Sequence, residues 1–361
     1  MQLNGIDYIE FYVSDIAKNT ALLQHQFGFQ LIAMTPRNPK TNMSASLLLK
    51  QNNIHLILTT DADIESEVTD FLTCHQDGVR DIAFRTDDID KTFHHALKQG
   101  AKSLLKPTVM SGDGQQTLIK AAVRAFGDTI HSFIQRDEST HDLFFPGFDF
   151  IRNIHAPSNG NLTTIDHVAI CIPAKTLNHW TDFYCKVFGF QQTHEENVYT
   201  EYSGMNSKVV QSAKGEIKLT LVEPAPGKHS SQVANFLAMN QGPGVQHIAF
   251  ASNNILQAVT KLQKAGVKFL KIPPSYYENT KEIAGKMGLS YSLLQKNQVL
   301  IDKDKNGYLL QIFSKPLHEK CHYFFEVIQR NGAQGFGSNN IHALFKALEI
   351  EQISNEMAVD E

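Results

Sequence analysis

The chain has 361 residues, 42% of them hydrophobic and 19% charged, an ordinary globular composition with room for about two domains. Lys plus Arg number 33 against 37 Asp plus Glu, a net charge of −4, so there is no basic surplus to meet a phosphate backbone and nucleic acid is excluded as an expected partner. Apolar runs never approach the roughly 18 residues that a membrane span needs, so no membrane partner is expected either.

The first residues lack a basic stretch followed by an apolar one, so no signal peptide is expected. Cys74, Cys171, Cys185 and Cys321 are scattered and form no C-x-x-C pair, which reads as reduced thiols in a cytoplasmic protein. Taken in chain order, Ile6-Asp7-Tyr8-Ile9-Glu10-Phe11-Tyr12-Val13 is a strand that leads through a helix to Phe27-Gly28-Phe29. A second strand, Gly78-Val79-Arg80-Asp81-Ile82-Ala83-Phe84, leads through a helix marked by Phe93, Ala96 and Leu97 to Gly100. A third, Ile130-His131-Ser132-Phe133-Ile134-Gln135-Arg136, closes the first half. Residues 137–163 are rich in Asp, Ser, Pro, Gly and Asn and read as a linker.

Beyond the linker the same order returns. Ile165-Asp166-His167-Val168-Ala169-Ile170-Cys171-Ile172 leads to Phe188-Gly189-Phe190, and Gly244-Val245-Gln246-His247-Ile248-Ala249-Phe250 leads to Gly266. Phe324-Phe325-Glu326-Val327-Ile328-Gln329-Arg330 closes the second half. Three pairs in one order mean a duplicated domain. The expected fold is α+β: two tandem domains of paired βαβββ units, residues 1–136 and 164–361. Near the C-terminus Ile341, Leu344, Phe345 and Leu348 share one helical face, so a helix over about 340–352 should close over an apolar surface. Ser338 or Asn339 is in place to cap it.

The two copies differ where it matters chemically. At matched strand positions the second half has His167, His247 and Glu326, and the first has Tyr8, Asp81 and Ser132. Two imidazoles and a carboxylate on one face of a metal, with other positions open, suit a non-haem Fe(II) oxygenase. Strict alternation puts Ile165, His167, Ala169 and Cys171 on one face, and Val245, His247, Ala249 and Ala251 on another shared face. Small neighbours then leave room beside each imidazole. The same alternation turns Gln311 inward between Leu309 and Phe313, and places Gln246 on the side away from the metal cavity.

These motifs, with Leu309-Leu310-Gln311-Ile312-Phe313 and Gly335-Phe336-Gly337, resemble the 4-hydroxyphenylpyruvate dioxygenase group of the vicinal oxygen chelate superfamily over about residues 3–352. The resemblance implies Fe(II) on His167, His247 and Glu326, a catalytic second half, a non-catalytic first half and a lid from the C-terminal helix. It implies that Gln232, Gln246 and Gln311 are catalytic. Ser207, Thr220, Val222, Phe313, Phe324, Phe336, Asn340, Ile341 and Leu344 are then expected to bind or support the substrate. Partners expected are 4-hydroxyphenylpyruvate and dioxygen, in a homo-oligomer.

That group runs two chemistries on one substrate after a shared decarboxylation. One hydroxylates the ring and forms homogentisate; the other hydroxylates the benzylic carbon and forms 4-hydroxymandelate. Ring-attacking members usually read Pro-x-Asn-Glu-Pro on a pocket strand and Asn-Phe at the lid. This chain reads Thr220-Leu221-Val222-Glu223-Pro224 and Asn340-Ile341, which favours 4-hydroxymandelate, with homogentisate as the alternative. A non-catalytic small-molecule-binding protein of the same fold is the remote alternative, against which the complete triad argues.

Overall fold

The computed structural model describes residues 2–36, 44–111, 117–136, 145–151 and 160–359. The first unit is β1 (Leu3–Tyr12), α1 (Ile16–His25), β2 (Gln30–Met34), β3 (Ser44–Gln51) and β4 (Ile54–Asp61). After α2 (Glu67–His75) comes a second unit: β5 (Gly78–Thr86), α3 (Ile89–Lys98), β6 (Ser103–Ser111), β7 (Thr117–Arg124) and β8 (Ile130–Arg136). The short β9 (Asp149–Phe150) follows. The third unit is β10 (Leu162–Cys171), α4 (Leu177–Phe188), β11 (Gln191–Tyr199), β12 (Gly204–Gln211) and β13 (Lys218–Ala225), followed by α5 (Gln232–Met239). The fourth is β14 (Gly244–Ser252), α6 (Ile255–Lys264), α7 (Pro274–Lys286), α8 (Tyr291–Asn297), β15 (Leu300–Asp304), β16 (Gly307–Phe313) and β17 (Phe324–Asn331). The helix α9 (Ser338–Val359) ends the chain.

Two mixed sheets result, ordered β6-β7-β8-β5-β1-β4-β3-β2-β9 and β11-β12-β13-β10-β14-β17-β16-β15. This is the α+β architecture expected from the repeat. One face of each sheet joins a core common to both halves, where Phe27 meets Phe325 at 5.1 Å and Phe84 meets Phe188 at 5.8 Å between ring centres. The opposite faces curl into two cups. One is filled by Tyr8, Leu48, Ile57, Leu118, Ile134 and Phe145, the other by Cys171, Met205, Val222, Phe236 and Phe345. Among the described residues no helix is long and apolar enough to cross a membrane.

The repeated motifs do repeated mechanical work. Gln135 Oε1 accepts the Ile89 N–H at the start of α3, and Gln329 Oε1 accepts the Ile255 N–H at the start of α6, at 2.7 and 2.8 Å. Each satisfies a backbone donor that a helix N-terminus leaves open. Arg136 and Arg330 grip Asp7 and Asp166 through charge-assisted hydrogen bonds of 2.7–3.0 Å. Gly28 (φ 78°) and Gly189 (φ 66°) each take a left-handed turn after the first helix of their half, where a side chain would be strained.

Strict alternation along the two central strands fails immediately before each histidine. Ile165 opposes Phe250 and His167 opposes Ala249, so Asp166 is the extra residue of a β-bulge. Ala169 opposes His247 and Ile170 opposes Val245, so Gln246 is another. Each bulge reverses the faces before it. Ile165 and Val245 therefore pack into the common core beside Val168, Ile248 and Phe250, away from the face that alternation assigned them. The expected cap of the last helix also changes. Asp302 accepts the Asn339 N–H at 2.8 Å, while Ser338 donates instead to Glu196 at 2.7 Å. A carboxylate from a neighbouring strand suits the positive end of the helix better than a neutral hydroxyl.

Much of the expected linker, residues 137–144 and 152–159, lies outside the described residues. Between them Phe145 is buried against Tyr8, and β9 pairs with β2.

Candidate active site

The second cup is built on its three central strands. His167 on β10 and Glu326 on β17 flank Ala249 of β14 in register, and the methyl side chain leaves room for both to meet. His247 lies two residues back on β14, opposite Ala169. Their ligand atoms all fall within 4.8 Å of one another. His167 Nε2 and His247 Nε2 lie 3.3 and 3.6 Å from Glu326 Oε2. The two rings stand nearly perpendicular, at 80°.

The bulges determine which nitrogen points inward. Asp166 turns back to accept a hydrogen bond from His167 Nδ1 at 2.9 Å, and Gln246 Oε1 accepts one from His247 Nδ1 at 3.2 Å. Both acceptors keep a proton on Nδ1, so Nε2 is the ring atom that each histidine turns to the common point. Gln246 is thereby drawn to the cavity wall, where its Nε2 donates to Gln232 Oε1 at 2.5 Å. Placing it outside the cavity by alternation was wrong, because the bulge re-aims the side chain. Glu326 is held in turn. Gln311 donates to its Oε1 at 2.9 Å, Asn340 donates to Gln311 at 2.7 Å, and Tyr276 of α7 donates to Asn340 at 2.5 Å.

Charges are unevenly distributed here. Burial alone would discharge His167, but Glu326 and Asp166 outweigh it and lift its pKa above the ordinary 6.5. His247 is pushed well below that value by burial and by the neighbouring His167. Burial works against the Asp166 carboxylate, yet hydrogen bonds from His167 and Arg330 hold it far below the usual range. A cation entering this site meets one carboxylate and two buried imidazole nitrogens, and it displaces a proton from His167.

Around these groups lies a cavity of about 50 Å³. Gln232, Gln246, Gln311, Ser207, Thr220, Val222, Phe313, Phe336, Ile341 and Leu344 all line it. Phe324 stands behind, stacked on His247 at 5.0 Å, and Asn340 is fully buried in the chain of amides. Glu223 caps α4 by accepting the Thr176 and Leu177 N–H groups at 2.9 and 3.0 Å. The Thr220 hydroxyl is buried without a hydrogen-bond partner. Phe345 of the last helix lines the wall too, and His194, Met205 and Val209, which were not singled out from sequence, complete it. A signal for His194 existed: His194, Glu196 and Val198 alternate inward on an otherwise exposed strand.

The helix α9 closes the cup. Glu349 accepts from Ser203 at 2.5 Å and from Thr200 at 2.9 Å, and Glu196 holds Ser338. At about 50 Å³ the cavity is smaller than the roughly 150 Å³ cavity that holds benzene.

Residues 1–151 match the model described as hydroxyphenylpyruvate dioxygenase, N-terminal, and residues 164–312 match the glyoxalase/bleomycin resistance protein/dioxygenase superfamily. The chain is 33% identical to 4-hydroxyphenylpyruvate dioxygenase of Dictyostelium discoideum, over 97% of this chain and 98% of that one. It is 34% identical to the Danio rerio enzyme of the same name, over 96% and 90%. A solved triple mutant of 4-hydroxymandelate synthase from Streptomyces coelicolor is 32% identical and superposes with a TM-score of 0.87, covering 98% of this chain and all of that one.

Proposed function

Because the chain belongs to the 4-hydroxyphenylpyruvate dioxygenase family of iron-dependent dioxygenases, we propose that it converts 4-hydroxyphenylpyruvate and dioxygen to 4-hydroxymandelate and carbon dioxide. Catalysis is assigned to residues 164–361 and the half formed by 1–136 is read as non-catalytic. The donor set fits Fe(II): two Nε2 atoms with fixed tautomers and one carboxylate, buried, on one side of a common point. His167, His247 and Glu326 would hold it, and bound there it supplies the Lewis acidity and redox chemistry that dioxygen requires.

The protein's own groups do the rest. Gln246 and Gln232 form an uncharged polar wall beside the triad. Gln311 keeps Glu326 oriented. Phe336 and Phe313 give flat apolar surfaces for an aromatic ring, and the Thr220 hydroxyl is available to the ligand. Ile341, Leu344 and Phe345 of the closed helix exclude water, which protects a reactive site from side reactions.

One observation carries the choice of product: Thr220, Val222 and Ile341 all face the cavity. Val222 offers no hydrogen bond and Ile341 no ring, so neither of these two side chains clamps the aromatic carbon for attack. The benzylic carbon is then the reacting position. Chromatography of the products from iron-loaded protein, 4-hydroxyphenylpyruvate and oxygen tests this, with 4-hydroxymandelate the expected major product and homogentisate the refuting one. Homogentisate is the second reading, favoured by the shared name of the curated relatives. We further place the protein in the cytoplasm as a homo-oligomer, an assembly that analytical ultracentrifugation tests.

A further inference from the structure

Of the ionisable side chains that line the second cup, His167, His247 and Glu326 meet at the common point and His194 stands apart. Register places it across the cup from them. His194 of β11 pairs with Val209, Val209 with Thr220, Thr220 with Ala169 and Ala169 with His247, so one row crosses the sheet from one histidine to the other. Neighbouring strands lie roughly 4.8 Å apart, and the sheet curls so that both ends of this row line one cavity. The Phe336 ring spans the interval, 5.0 Å from the His167 ring and 6.3 Å from the His194 ring.

The His194 imidazole is anchored through one nitrogen. Glu196 Oε2 lies 3.3 Å from its Nε2 and also accepts from Ser338 of α9 at 2.7 Å. Its Nδ1 makes no hydrogen bond among the described residues, and the side chain is 34% exposed. The in-register partner Val209 and the ring neighbour Phe336 are both apolar. Ser207, paired with Glu196, already gives its hydroxyl proton to the Glu196 carbonyl at 3.2 Å. Thr220, whose hydroxyl is unpartnered, stands two strands nearer the triad. At the end of the cavity away from the metal ligands, His194 is therefore the group with a nitrogen to offer.

Resting on the function proposed above, we propose that His194 is a specificity residue that receives the phenolic hydroxyl of the 2-oxo acid. The acid end then lies at the triad, the ring against Phe336 and the hydroxyl on Nδ1. A phenol both donates and accepts, so it pairs with either form of the ring. An aryl 2-oxo acid without the hydroxyl leaves that nitrogen unanswered. The contact also links recognition to closure, because Glu196 joins His194 to the first turn of α9.

Calorimetric titration of iron-loaded protein under nitrogen, with 4-hydroxyphenylpyruvate and with phenylpyruvate, tests this without turnover. Wild type is expected to bind the hydroxylated acid about tenfold more tightly, as one added hydrogen bond allows. His194→Phe, which keeps a flat ring beside Phe336, should bind both acids alike, at the affinity that wild type has for phenylpyruvate; that retained affinity shows that it is folded. His194→Gln, which restores a hydrogen-bonding end, should regain a preference for the hydroxylated acid. Equal binding of the two acids by wild type, or a preference that survives in His194→Phe, overturns the role of His194 and leaves the proposed function standing. Wild type that binds neither acid at millimolar concentration overturns both.

Discussion

The two cups share a scaffold and differ in what stands on it. Both have a bulged residue before each of two inward positions: Asp7 and Arg80 in the first, Asp166 and Gln246 in the second. Both clamp the bulged aspartate with an arginine from the last strand of the half. That guanidinium lies over a phenylalanine of the closing segment, Phe145 at 4.8 Å and Phe336 at 5.1 Å. In the first cup the inward groups satisfy one another. Asp81 accepts from Tyr8 at 3.0 Å, from the Ser132 hydroxyl at 2.5 Å and from the Ser132 N–H at 3.0 Å. In the second, three ligand atoms face a common point with their other atoms already occupied. The bulges and clamps are thus scaffold, and three side chains give one copy a candidate metal site.

The largest expected effect breaks this symmetry directly. Glu326→Ala should lose bound iron and at least about 100-fold in turnover, since even an outer partner of a metal ligand is worth roughly 10–100-fold. Asp81→Asn, at the first cup's counterpart of His247, should keep both; iron per chain and turnover read the two variants. Equal iron loss in the two variants would show that the cups do not divide the work this way.

Next in size are the groups behind the ligands. Gln311→Ala and Asn340→Ala should each lower iron affinity about 10-fold or more by releasing Glu326. Lys120→Ala, at the position equivalent to Gln311, should leave iron affinity unchanged in the same competition titration against a chelator.

A smaller shift concerns the product. Val222→Asn with Ile341→Phe should move the product ratio about tenfold toward ring hydroxylation, equivalent to ~1.4 kcal/mol of positioning. The two residues line one cavity, so the single variants need not sum to the double. A ratio unmoved in the double variant sinks the positioning argument.

The smallest effect on catalysis tests the scaffold itself. Burial works against the Asp7 carboxylate, but Arg136 and Arg85 outweigh it and depress its pKa below 3.8. A depressed carboxylate contributes stability that is complete above its ordinary pKa and lost as pH falls through the folded value. Asp7→Asn should therefore melt lower than wild type at neutral pH, by about 3 kcal/mol for a broken buried pair. That gap should narrow below about pH 4. Turnover per folded chain should hold, and a gap independent of pH would mean that the clamp is not electrostatic.

The repeat, the α+β class and the lid helix were legible because they depend on local pattern: apolar period, turn glycines and the order of motifs. Subtracting one copy from the other singled out His167, His247 and Glu326 because a charged or polar group on an apolar strand stands out in sequence. Tyr276 was invisible, since α7 and α8 have no counterpart in the first half and nothing to be compared with. The faces of Ile165, Val245 and Gln246 were misjudged for a different reason. Alternation describes one strand by itself, but a bulge is a relation between two strands. Sequence by itself thus determined which residues could bind a metal. Tertiary structure alone decided that Asp166 and Gln246 would turn back onto the two histidines and aim their Nε2 atoms at one point. The physical reason is that register and tautomer are set by partners far away in the chain.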